Sequence, residues 1–495
     1  MRRPPTRPPF ALLALAAAVG CATAPRTFRC PTAGGPPWRE MASEHYVLRT
    51  DLPDAEAGEL LGKIERLRSA VAVGLPGGAT PPEGRVDVVA FRTLEEYQPF
   101  SPDGALGYYV RYEGGPPRIV VPGEIGDWQH AMLAHEITHD FLSVKYRRQP
   151  RWFAEGLAEY MESIDFDSSG SRVTVGAPVQ DRLKRARKAK VPVSEVLAWE
   201  GGPGARPVLD YYSASWLLVH WLVHTRPGAF AQYADGLASG STPEAAWRAA
   251  LPAFDPDRPE TLEALDAELA EYARAEMHRH RLHGEPRTVV AYFEKPMPPA
   301  EVHAVRLEIW QFGSEPNPKG LRAEVEEALL EDPAHPIALE YLAALERADP
   351  LPYARRAVRG HPNDARAQTF LAEALDGPVL AAEREAALRR AAEIAPRNAA
   401  ALHNLAEALL QNGKASEALP VARKAAQLAP WSPPVLAGYA AVLASLGQCA
   451  EAIPVQQRAI DAVPDRGTAS ERRALVRKLD VYESQCVSPG GTATP

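Results

Sequence analysis

Apolar positions follow two different rhythms along this chain. From Trp38 to about residue 125 they fall mostly in short runs bounded by Gly and Pro, the pattern of β-strands. Residues 45–50, 85–91, 105–112 and 118–121 are four such runs. Between residues 54 and 73, Leu60, Leu61, Ile64, Leu67, Val71 and Val73 recur at the spacing of one helix face. Further helices are predicted from about Trp128 to Val144, from Trp152, from Val208 and from Gly228. Strand, helix, strands, then helices is the order of an α+β domain, here residues 38–285. The last third of the chain is rich in Ala and Leu, and it repeats. Pro362, Pro396, Pro430 and Pro464 lie 34 residues apart, and Gly413/Gly447, Ala418/Ala452 and Ala425/Ala459 share that interval. A repeat of this length is a helix pair that buries its apolar face only against its neighbours. An all-α solenoid is therefore predicted over residues 320–486, closed by a capping helix at 468–485. Residues 286–319 read as a linker or the solenoid's start, and 487–495 as a disordered tail.

The repeats carry a family signature. Leu402, Leu405, Ala406 and Leu409, and again Leu436, Tyr439, Ala440 and Leu443, match the first-helix pattern of tetratricopeptide repeats. Residues 320–465 resemble a tetratricopeptide solenoid of about four helix pairs, the earlier ones degenerate, and the resemblance implies a protein partner.

The N-terminus has a different character. A cationic stretch with Arg2, Arg3 and Arg7 precedes an apolar run from Phe10 to Val19, too short to span a bilayer. Ala18-Val19-Gly20-Cys21 follows, which resembles a bacterial lipoprotein signal, though that family usually has Leu where Ala18 stands. The resemblance implies cleavage before Cys21, lipidation of that cysteine and a membrane-anchored place in the cell envelope, with Ala22 consistent with the outer membrane. An ordinary secretory signal is the alternative. Residues 22–37, rich in Pro, Gly, Ala and Thr, read as a flexible tether. Export permits disulfides, and Cys449 and Cys486 are a candidate pair stapling the last repeat to its cap. The net charge of −8, with no basic stripe, argues against nucleic acid as a main partner.

The candidate chemistry begins with His135-Glu136-Ile137-Thr138-His139 on a predicted helix. Residues four apart share a helix face, so both imidazoles can reach one ion, while Glu136 can project beside an open coordination position as a general base. Downstream stands Arg151-Trp152-Phe153-Ala154-Glu155-Gly156-Leu157-Ala158-Glu159-Tyr160. This aromatic-x-x-Glu-Gly context resembles the gluzincin metallopeptidases, most of all the bacterial peptidase MA-like members. The resemblance implies a zincin-like fold and one Zn²⁺ held by His135, His139 and Glu155, with Glu159 as the competing ligand. It also implies hydrolysis of a peptide or protein substrate by a metal-activated water. Two imidazoles and one carboxylate leave zinc an open position, as catalytic sites do. Tyr211-Tyr212-Ser213-Ala214-Ser215-Trp216 resembles the family's Tyr-x-x-Ser-Trp segment, which points to Tyr212 as a donor to the oxyanion. Residues 118–121 are, by the same analogy, the edge strand that aligns a substrate.

Other groups read more plainly. His220 and His224 are a packed pair in preference to a second metal site, and His278, His280 and His283 lie on a solvated helix face. Asp140 either orients a ligand or faces solvent. No phosphate-cradling glycine loop and no G-x-S-x-G elbow is present. The alternative from another class is a catalytically silent lipoprotein scaffold whose repeats bind protein partners. A zinc hydrolase acting on a cell-wall stem peptide is a third reading.

Overall fold

The computed structural model describes residues 28–486, apart from 79–80, 83, 103–104, 112–115, 124–126, 147–148, 168–171, 202–204, 284–289, 314–316 and 464–468. The signal segment, with Cys21, and the C-terminal tail lie outside the described residues. The chain is mostly helical and forms two compact units. The first takes in the chain up to Val110, Pro116–Met297 and 312–315; the second takes in 111–115, Pro298–Gln311 and the chain from Pro316.

The first unit holds, in order, β1 (Arg39–Ala42), β2 (Tyr46–Thr50), α1 (Asp54–Gly74), β3 (Val86–Phe91), α2 (Leu94–Tyr97), β4 (Tyr108–Val110), β5 (Arg118–Pro122), α3 (Asp127–Lys145), α4 (Arg151–Met161), β6 (Asp165–Phe166), β7 (Arg172–Val175), α5 (Gln180–Ala189), α6 (Val193–Leu197), α7 (Val208–Thr225), α8 (Pro227–Ala238), α9 (Pro243–Ala250), α10 (Pro259–Tyr272), β8 (His280–His283) and β9 (Phe293–Pro296). Six strands form one sheet in the order β4-β5-β3-β2-β1-β9. β2, β3 and β5 are parallel; β1, β4 and β9 are added antiparallel. β3 is buried at every position, as a strand covered on both faces should be. Its one acid, Asp87, is neutralised by Arg49 from β2 at 2.7 Å and Arg118 from β5 at 3.2 Å. α1 turns Leu60, Leu61, Ile64, Leu67 and Val71 wholly inward and packs on β2 and α3.

Two expectations change here. The run at 118–121 is not an edge strand: β5 is paired on both sides, and the edge is the shorter β4. His280 and His283 do not lie on a helix. They belong to β8, which pairs with the much earlier β7 in a three-stranded sheet, β6-β7-β8. Local pattern carries no trace of so distant a partner.

The second unit is helical: α11 (Pro299–Trp310), α12 (Pro318–Glu331), α13 (Pro336–Glu346), α14 (Leu351–Gly360), α15 (Ala365–Ala374), α16 (Ala381–Ile394), α17 (Ala399–Gln411), α18 (Ala415–Leu428), α19 (Pro433–Ser445), α20 (Cys449–Ala462) and α21 (Ala469–Cys486). The repeat marks fall at structural joints. Pro362, Pro396 and Pro430 each stand two residues past the end of a helix, α14, α16 and α18. Gly413 and Gly447 make the turns inside two pairs with φ of +74° and +72°, which residues with a Cβ rarely adopt. Ala418, Ala425, Ala452 and Ala459 are buried, and their lack of bulk lets paired helices approach. α21 packs Leu475 and Tyr482 against the last pair. Cys449 is held in a disulfide; the side chain of Cys486 lies outside the described residues.

Candidate metal centre

α3 and α4 pack against each other and carry the candidate ligands. His135 and His139 are one turn apart on α3, and their Nε2 atoms lie 3.1 Å from each other. From α4, Glu155 brings Oε2 to 3.4 Å from His135 Nε2 and 3.6 Å from His139 Nε2. Glu155 is wholly buried; Arg151 occupies its Oε1, and no hydrogen bond of good geometry reaches its Oε2 among the described residues. A buried carboxylate oxygen left this way carries a desolvation cost that a cation would offset. The spacing fits one. A tetrahedron with arms of about 2.0–2.1 Å has edges of about 3.3–3.4 Å, close to the three separations seen. Two imidazoles and one carboxylate are a donor set for zinc.

Two of the three candidate ligands, Glu155 and His135, are held from behind. Glu155 Oε1 is 2.6 Å from an Arg151 guanidinium nitrogen one turn earlier on α4. Arg151, more than any other group, offsets the burial that would raise the Glu155 pKa, which lies well below the usual carboxylate range. His135 Nδ1 is 2.8 Å from Glu162 Oε1, just past the end of α4. Burial opposes a charged His135, but hydrogen bonds to Glu155 and Glu162 outweigh it and raise its pKa well above the ordinary value. Glu159 is not turned toward both histidines; it pairs with Arg182 of α5. A second grouping of donor atoms, His135 with Glu159 and Glu162, shares the other side of the His135 ring.

Glu136 is buried beside this cluster and accepts the backbone N–H of Tyr109 in edge strand β4. Burial lifts its pKa, against the pull of His135 and His139. The Tyr109 hydroxyl donates to Asp140 at 2.9 Å, and Asp140 also faces Arg68 of α1 at 3.5 Å. Asp140 therefore ties α3 to β4 and α1, and it is buried instead of facing solvent. Tyr212 of α7 is buried. Its hydroxyl accepts from Arg151 at 3.3 Å, on the Oε1 side of Glu155, leaving its own proton free for an acceptor. Arg151, Glu162 and Arg182 are residues of this candidate site that the sequence motifs do not single out. Glu155, Glu159 and Glu162, at intervals of four and three on one helix face, are the signal for Glu162; Arg182 has none.

His220 is not a ligand candidate. Nδ1 lies 2.7 Å from the Tyr272 hydroxyl and Nε2 lies 2.9 Å from the Gly176 carbonyl, so both nitrogens are engaged. It stacks on His224, which stacks on His280, both at 4.3 Å between ring centres. Burial pushes His220 down to about 4 and His224 to about 3. Both are thus neutral when folded and protonate below about 6.5 when unfolded, so their share of stability is full above pH 6.5 and falls toward pH 4. The thermal midpoint is expected to drop over that window, and less steeply in His224→Phe. Equal slopes in a pH series of melting curves would contradict this.

Residues 129–243 match the family described as "Protein of unknown function (DUF1570)". Residues 387–419 and 409–479 match tetratricopeptide repeat families, so the C-terminal helices are tetratricopeptide repeats. No curated protein matches. Among solved structures, a thermophilic TPR protein of Thermus thermophilus is 18% identical, covering 37% of this chain and 99% of its own, with a TM-score of 0.29. YrrB, titled a TPR protein with an unusual peptide-binding site, is 16% identical over 36% of this chain and 91% of its own, at 0.28. A MamA structure is 16% identical over 33% and 91%, at 0.26. Tetratricopeptide repeats point to protein–protein interaction.

Proposed function

We propose that this chain is a zinc-dependent metallopeptidase with a zincin-like first unit, exported and tethered to the membrane through Cys21, whose repeats recruit protein substrates or partners. The observation that carries the reading is the orphaned Glu155 Oε2, set against two imidazole nitrogens at the edge lengths of a tetrahedron, with Glu136 alongside. His135, His139 and Glu155 would hold the ion. When bound, zinc supplies a Lewis acid that polarises a carbonyl and lowers the pKa of water to about 7. The protein's part is proton handling. Glu136 takes a proton from the attacking water and passes it to the leaving amine. The Tyr109 N–H keeps the Glu136 carboxylate aimed, and Arg151 keeps one Glu155 oxygen occupied so that the other faces the histidines. Tyr212 is the candidate donor to the developing oxyanion. The proposed anchor is the lipid on Cys21; no helix among the described residues is long and apolar enough to cross a membrane.

The test is zinc content together with cleavage of casein and a peptide library. About one zinc per chain is expected, with hydrolysis lost to a chelator and restored by added zinc. A chain that binds no zinc overturns the reading. Zinc bound with no turnover on any substrate favours the silent scaffold.

A further inference from the structure

His135 uses both nitrogens. Nε2 faces Glu155 and His139, and Nδ1 faces Glu162 Oε1 at 2.8 Å. A neutral imidazole can offer a lone pair at only one nitrogen, so the proton has to sit on the other. Glu162 is set to hold it. Its other oxygen, Oε2, lies 2.8 Å from an Arg182 guanidinium nitrogen, and the same guanidinium pairs with Glu159. One cation thus sits between the buried Glu159 and the largely covered Glu162, and keeps Glu162 from turning away.

We infer that Glu162, clamped by Arg182, is a positioning residue that fixes His135 in the tautomer with Nδ1 protonated and Nε2 free for the metal. The inference rests on the metal-site reading above. Glu162 lies outside the α3 motif, so His135 depends for its orientation on a carboxylate carried just past α4. Arg182 has a second consequence. Glu159, Glu162 and His135 Nδ1 lie close enough to gather an ion of their own, and the guanidinium stands there as a fixed cation. The pair of carboxylates then serves His135 from behind instead of competing for the metal.

The test compares two variants of nearly equal volume, Glu162→Leu and Glu162→Gln, in the full chain. Both remove the charge, but only Gln keeps an acceptor for Nδ1–H. Zinc affinity is read by competition with a chromophoric chelator, and ligand geometry by the visible bands of the cobalt(II)-substituted protein. Glu162→Leu is expected to weaken zinc by about 10–100-fold and to shift the cobalt bands, while Glu162→Gln keeps most of the affinity. If Leu and Gln behave alike, or Leu matches wild type, the inference is wrong. Near-ultraviolet circular dichroism reports whether each variant folds. Should Glu162→Leu not fold, Arg182→Gln takes its place, with weaker zinc binding and shifted cobalt bands expected; an unchanged spectrum there overturns the clamp. His139→Ala separates the two readings. Loss of zinc in that variant, with Glu162→Leu unaffected, keeps the metal site and discards the role of Glu162. Wild type without zinc discards both.

Discussion

Glu136→Gln is expected to keep the metal and lose the turnover. The exchange preserves volume, and the amide oxygen can still accept the Tyr109 N–H that holds the side chain. Neither histidine nor Glu155 is disturbed. What disappears is a carboxylate able to take a proton, and general acid–base steps of this kind contribute about 10²–10⁴-fold. Burial already lifts the Glu136 pKa toward the range where a base works best. Zinc content at the wild-type level, with kcat lowered by that factor on whichever peptide wild type cleaves, is the expected pair of results. A variant that keeps more than about a tenth of wild-type kcat would remove Glu136 from the proton-transfer role.

Gly156→Ala should destabilise the first unit, against the usual sign of that exchange. Replacing a helical Gly with Ala ordinarily stabilises by about 0.5–1 kcal/mol. At Gly156 a Cβ would lie 2.6 Å from the Ser215 carbonyl oxygen and 2.7 Å from Val219 Cγ2, so α7 itself has to move. Overpacking of this kind costs about 1–3 kcal/mol. For a domain of this size each kcal/mol is worth roughly 2–4 °C of melting temperature. Because α4 carries Glu155 and α7 carries Tyr212, zinc affinity should fall with stability. Gly228→Ala is the control. That glycine is the second residue of α8, with nothing within 4 Å of its would-be Cβ, so a neutral or slightly stabilising effect is expected. A melting curve for Gly156→Ala equal to that control would mean that the two helices are not held as close as described.

The same glycine shows what is readable in a sequence. Glu155-Gly156 is legible as part of a motif, but the reason for the glycine, a seat on the backbone of α7, needs the third dimension. His135, Glu136 and His139 are legible because a helix with period 3.6 places residues four apart on one face. The repeats are legible because the 34-residue interval returns Pro, Gly and Ala to equivalent joints. What is not legible depends on partners far along the chain. Residues 118–121 read as an edge strand because a single strand says nothing about which neighbours it has. His280 reads as helical because only β7 makes it a strand. Glu162 shares the face of Glu155 and is within reach of a pattern argument; Arg182, on another helix, is not.

The candidate ligands, the base and the carboxylate behind His135 all come from a single stretch, His135 to Glu162, and the groups that brace them, Tyr109, Arg182 and the α7 backbone, all belong to the first unit. Each of these named residues lies before the repeats in the chain. A change of sequence in the solenoid, even the loss or gain of a helix pair, therefore replaces none of these residues, and the two halves of the chain can be altered separately in an experiment.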